Sequence, residues 1–94
     1  MKTVRWSNLA FETYWTFSEE IAVFSQRTAI TLEDKLNALL DRLAVHEHAC
    51  PPLETLSRYR KCVLSKNISL IYEVTTDSIE LVSFIDNRME HGFI

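Results

Sequence analysis

Four cationic side chains, Arg58, Arg60, Lys61 and Lys66, fall within nine residues that contain no acid. Arginine and lysine at this density can hold phosphate, the first as a planar fork and the second as a point charge. The strip has a second use, because charges on an edge strand keep it from pairing with a foreign sheet. A further arginine, Arg88, could contact phosphate or close an ion pair with Asp86 or Glu90. His46, His48 and Cys50, with His91 as a conceivable fourth, are metal-ligand types. An H-x-H-x-C run lacks the paired spacing of a structural zinc site, so neither a metal nor any other cofactor is expected. Cys50 and Cys62 lie 12 positions apart with no C-x-x-C pairing and are expected to be reduced thiols. With no histidine near it in sequence, Cys62 reads as a small hydrophobe rather than a nucleophile.

These groups sit in a chain of 94 residues, enough for one domain spanning 1–94 with a single core. Hydrophobic content of 47% and charged content of 24% are ordinary for a globular protein and argue against disorder. A net charge of −3 argues against general affinity for nucleic acid, which needs an excess of Lys and Arg. The charge is uneven. Residues 1–56 carry five basic and eight acidic side chains, whereas residues 57–94 carry five of each. No apolar run approaches the ~20 residues that span a bilayer, and MKTVRWSNLAFE has no secretory h-region, so a cytoplasmic protein with no membrane partner is expected. The one glycine, Gly92, leaves no glycine loop to cradle phosphate.

The elements that must position these residues follow from the apolar periods. Thr3 to Trp6 reads as a short strand, and Ser7 or Asn8 suits a helix N-cap. Ala10, Tyr14, Phe17, Ile21 and Phe24 recur at helical spacing and predict the buried stripe of a first helix. Ala29, Leu32, Leu36, Leu39 and Leu43 predict a second, starting at Thr28 or Thr31. A connection this short makes an antiparallel hairpin. Residues 46–57 form a loop, since Pro51 and Pro52 forbid further helix. Three strands follow: Tyr59–Ser65, Ile68–Thr75 and Ile79–Ile85. Alternation in the second sets Ile68, Leu70, Tyr72 and Val74 against Ser69, Ile71 and Glu73, and in the third it sets Ile79, Leu81, Ser83 and Ile85 against Glu80, Val82 and Phe84. The expectation is an α+β fold of order β-α-α-β-β-β, its helix hairpin packed on one face of a small twisted antiparallel sheet.

This order resembles the RelE/ParE superfamily of toxins from bacterial type II toxin–antitoxin (plasmid stabilisation) modules. The residues that carry the resemblance are V-R-W-S at 4–7, the leucine-rich second helix, Pro51-Pro52, Y-R-K at 59–61, L-I-Y-E-V at 70–74 and F-I-D-N-R at 84–88. The resemblance implies a growth-arresting toxin neutralised by a cognate antitoxin, with a heterotetramer or larger complex as the form of their assembly. It implies two kinds of target. ParE-like members inhibit DNA gyrase by protein contact, and this is the reading preferred here. RelE-like members are endoribonucleases that cut mRNA on the ribosome. In that alternative Arg60, Arg88 and His91 would be catalytic, with His91 as general acid and Glu54 a conceivable base. Arg58, Lys61 and Lys66 would bind nucleic acid, and Phe93 would stack on a base. A non-toxic binding module on the same fold is a third reading. Two departures weigh against the ribonuclease: Ser69 stands where several ribonuclease members have an arginine, and their strong positive charge is missing. Antitoxins of the family place a helix in a groove beside the hairpin or an extended segment along the sheet. Phe11, Trp15 and Ala22, off the main stripe of the first helix, are candidates for such a groove, though Trp15 could equally complete the core.

Overall fold

The computed structural model describes residues 1–88, so His91, Phe93 and Glu90 lie outside the described residues. The order is β1 (Thr3–Trp6), α1 (Asn8–Phe24), α2 (Gln26–Val45), β2 (Tyr59–Val63), β3 (Ile68–Val74) and β4 (Ser78–Asp86). The strands lie in the order β1-β4-β3-β2. The β2-β3-β4 meander is antiparallel as expected, but β1 joins β4 in parallel, so the sheet is mixed. Both helices pack on one face of it.

Ser7 caps α1 by accepting from the Ala10 amide at 2.9 Å. The second helix begins earlier than Thr28 or Thr31. Ser25 is extended (φ −162°, ψ 109°), donates its amide to Ile21 to close α1, and accepts from the Thr28 amide to open α2. One residue thus serves two helix ends, and the Thr28 hydroxyl donates to Ser25 instead of capping. Leu32, Leu36 and Leu43 are buried, with Tyr14, Phe17, Ile21 and Leu39 packed against the core. Phe24 departs from its stripe and is 90% exposed, because the chain turns at Ser25 before the last turn of α1 reaches the sheet.

The face assignment of β4 changes midway. Ile71 pairs with Ser83 but Tyr72 pairs with Leu81, leaving Val82 as an extra residue in a β-bulge. An inserted residue inverts every later side chain. Phe84 therefore joins Ile79 and Leu81 under the helices, while Ser83 and Ile85 turn to the opposite face, contrary to strict alternation. The bulge is held by α1. Phe84 donates its amide to Thr13 Oγ1 at 2.9 Å, and the Ser7 hydroxyl donates to the Val82 carbonyl at 2.8 Å.

Cys50 and Cys62 are joined in a disulfide, which corrects the expectation of reduced thiols. The chain from Cys50 runs antiparallel to the outer edge of β2, bringing the two residues to a Cα–Cα distance of 5.3 Å, within bridging range. Spacing in sequence carries no information about this proximity.

Candidate functional site

The pairing of β2 settles which way its cations face. Cys62 pairs with Leu70 in the core, so Arg60, two residues earlier and opposite Tyr72, shares the helix-side face. Its Nη1 donates to the Cys50 carbonyl at 2.7 Å. Lys61, opposite Ile71, faces the other side and is half-buried. Arg58 precedes β2, donates through Nε and Nη2 to Glu73 Oε2 at 3.0 and 2.8 Å, and lies over the Tyr59 ring. Glu73 holds that guanidinium further toward its charged form, first through the hydrogen bond and then through its charge. Lys66 is exposed in the β2–β3 turn.

Arg88 is drawn down by Asp86. Its Nε and Nη2 donate to the two carboxylate oxygens at 3.0 and 2.7 Å, and its amide also donates to Oδ1. It therefore stays charged, its pKa raised by the Asp86 hydrogen bond first. Asn87, beside it, donates its amide to the Asn67 carbonyl, which fixes this segment at the Ile68 end of β3. Arg60 sits four residues away along β3, about 13 Å at the rise of a strand. The structure does not bring Arg60 and Arg88 together.

The sheet face away from the helices has a neutral centre. Ser69 and Ile71 of β3, with their partners Ile85 and Ser83 of β4, are all buried there. The Ser69 hydroxyl is wholly inaccessible and donates to Asn87 Oδ1 at 2.7 Å, tying the segment after β4 to the middle strand. Lys61 flanks this centre beside Ile71, and the other charges gather at one end, where Glu73, Glu80 and Arg5 lie at one level and Arg58, just before β2, binds Glu73. Glu54 is exposed in the loop before β2. Among the described residues, no three His, Cys, Asp or Glu side chains form a metal-binding group.

A different site stands out on the helix side. Trp6 at the end of β1, Phe11, Tyr14, Trp15 and Ser18 of α1, and Glu33, Leu36 and Asn37 of α2 line a groove of about 560 Å³. Its rings touch edge to face: Trp6 with Phe11 at 6.4 Å, Trp6 with Tyr14 at 5.8 Å, and Phe11 with Trp15 at 5.9 Å. Phe11 is 55% and Trp15 48% exposed, so Trp15 does not complete the core. Ala22 is not among the lining residues. The Tyr14 hydroxyl is buried with no hydrogen-bond partner among the described residues, and burial, followed by the charge of Glu33, raises its pKa. The groove thus offers aromatic surface and one carboxylate among its lining residues. Trp6, Tyr14 and Glu33 were not foreseen here, since only the bulge, α1 and α2 together bring them side by side.

No family model and no curated protein sequence matches the chain. Solved structures do. The chromosomal ParDE TA system from P. aeruginosa superposes with a TM-score of 0.74 at 13% identity, over 92% of this chain and 96% of that one. The YoeB/ParE toxin from Agrobacterium tumefaciens gives 0.66 at 20% identity, over 93% and 99%. The E. coli DinJ-YafQ toxin–antitoxin complex gives 0.61 at 16%, over 93% of each chain. The chain has the RelE/ParE toxin fold. On this RelE/ParE scaffold the sheet face away from the helices has a neutral centre, and an aromatic groove lies between β1 and the two helices.

Proposed function

We propose that this protein is the toxin of a type II toxin–antitoxin pair that arrests growth by binding a protein target such as DNA gyrase, and that a cognate antitoxin neutralises it. The observation that carries this reading is the neutral centre of the sheet face, where Ser69, Ile71, Ser83 and Ile85 stand. Cleaving RNA through its 2′-hydroxyl requires cations that converge on the developing phosphorane charge. Arg60 faces the helices, Arg58 and Arg88 are each engaged by a carboxylate, and Lys61 beside Ile71 is a single cation and not a converging set. Binding by contact requires only surface, and the aromatic groove supplies it. Aromatic residues in a pocket are where binding energy concentrates at protein interfaces. We assign that groove to an apolar helix of the antitoxin, by analogy with the family's mode of neutralisation.

The ribonuclease alternative, with Arg60, Arg88 and His91 in catalytic roles, is separated by expression from a tightly controlled promoter. The expected outcome is growth arrest with intact mRNA and an induced DNA-damage response, unchanged in Arg60→Ala. Cleaved mRNA that disappears in Arg60→Ala or His91→Ala would establish the ribonuclease instead. A lack of arrest together with no binding to the product of an adjacent reading frame would overturn the toxin reading altogether.

A further inference from the structure

The outer edge of β2 is occupied by the chain's own residues 50–53. Lys61 donates its amide to the Pro51 carbonyl at 3.1 Å, and Leu53 donates to the Tyr59 carbonyl at 2.9 Å, with Pro52 bridging to Arg60. This strap is a poor strand, because Pro51 and Pro52 have no amide hydrogen and cannot return bonds to β2. Only two backbone hydrogen bonds therefore join it to the edge. Where the strap begins, Arg60 of β2 donates to the Cys50 carbonyl at 2.7 Å, and the disulfide joins Cys50 covalently to Cys62 in the neighbouring strand. Cys62 is buried and Cys50 is partly exposed, so of the two Cys50 is the more accessible residue.

From this arrangement we propose that the Cys50–Cys62 disulfide is a redox latch: while oxidised it holds the Pro51–Leu53 strap over the edge of β2, and a dithiol reductant releases the strap and exposes that edge. The exchange balances as an ordinary two-electron transfer. A thiolate of the dithiol attacks Cys50 Sγ, the Cys50–Cys62 bond breaks, and Cys62 leaves and takes up a proton. The second thiolate of the reductant resolves the mixed disulfide and releases Cys50, which is protonated in turn. The reductant ends as a disulfide and the protein as two thiols. Disulfides of proteins kept in reducing compartments are characteristically transient in this way. Tyr72 supports the device as a pivot. Its hydroxyl donates to the Glu47 carbonyl at 2.8 Å and accepts from the Cys50 amide, so the chain before the strap stays on the sheet when the latch opens. What is uncovered is an extended backbone edge, the surface that an extended peptide adds to. The latch stands apart from the toxin reading and holds or fails on its own.

Hydrogen exchange of the whole chain, oxidised and in excess dithiothreitol, provides the test. Reduction is expected to speed exchange of the Lys61 and Leu53 amides at least tenfold while the β3–β4 amides keep their protection. Oxidised Cys50→Ser, which cannot form the bond, should match the reduced wild type. Unchanged exchange at Lys61 and Leu53 would overturn the proposal. So would an equal acceleration in β3 and β4, since the disulfide would then staple the entire domain rather than latch one strap. Should Cys50→Ser not fold, the reduced and reoxidised wild type still decides between these outcomes.

Discussion

Ser69 puts a buried hydroxyl at the centre of the sheet face away from the helices and uses it to fasten Asn87. Replacing it by alanine strands the Asn87 carbonyl oxygen, and Ser69→Ala should cost about 1–2 kcal/mol in urea unfolding. Tyr14 is the opposite case. Its hydroxyl is buried with no hydrogen-bond partner among the described residues, so Tyr14→Phe should leave the urea midpoint unchanged or slightly higher. Tyr72 governs behaviour in alkali. Burial raises its pKa above the ordinary value near ~10, with the Cys50 hydrogen bond opposing. A raised folded pKa contributes stability that is complete below the unfolded value and is lost as pH rises through the folded one. Urea midpoints measured from pH 8 to 11 should therefore decline above about pH 10. The decline should be shallower in Tyr72→Phe, with Tyr14 contributing the remainder in the same direction.

Among the elements, periodicity revealed both helices and all four strands, because each apolar stripe has one large partner surface to meet. The α2 stripe from Leu32 to Leu43 and the β3 face from Ile68 to Val74 were both legible in this way. What periodicity missed depends on neighbours distant in sequence. Nothing local distinguishes Val82 as the extra residue; the bulge exists because Ser7 and Thr13 of α1 supply partners for the backbone around it. Thr28 has the chemistry of an N-cap, but Ser25 reached that position first by ending α1. The groove was only half visible. Phe11 and Trp15 lay off the core stripe, whereas Glu33, Leu36 and Asn37 join them only through the helix pairing. This supports a prediction about the pair of helices. Trp15→Ala should shift the urea midpoint little, since the ring is half exposed, yet reduce affinity for a cognate antitoxin at least tenfold in calorimetry. Equal affinity would remove the groove from the interface.

Over the whole molecule, the −3 net charge and the dispersed, carboxylate-engaged arginines predict weak attraction to polyanions. Filter binding to single-stranded RNA at physiological salt should show no saturable association, and a steep salt dependence would contradict this. Lys2 ties distant parts together. Its amide donates to Ala44, its Nζ donates to the Thr75 carbonyl at 2.6 Å, and it pairs with the Glu47 carboxylate. That bond, before any other influence, lowers the Glu47 pKa, so its contribution is present at neutral pH and fades as pH falls through the lowered value. The parallel pairing of β1 with β4 has a consequence in time. A ribosome makes β1 first and β4 last of the described strands, so the helices emerge with their apolar faces uncovered and β1 has no neighbour until β4 is out. A nascent chain of this protein stays vulnerable to proteases until β4 has been made.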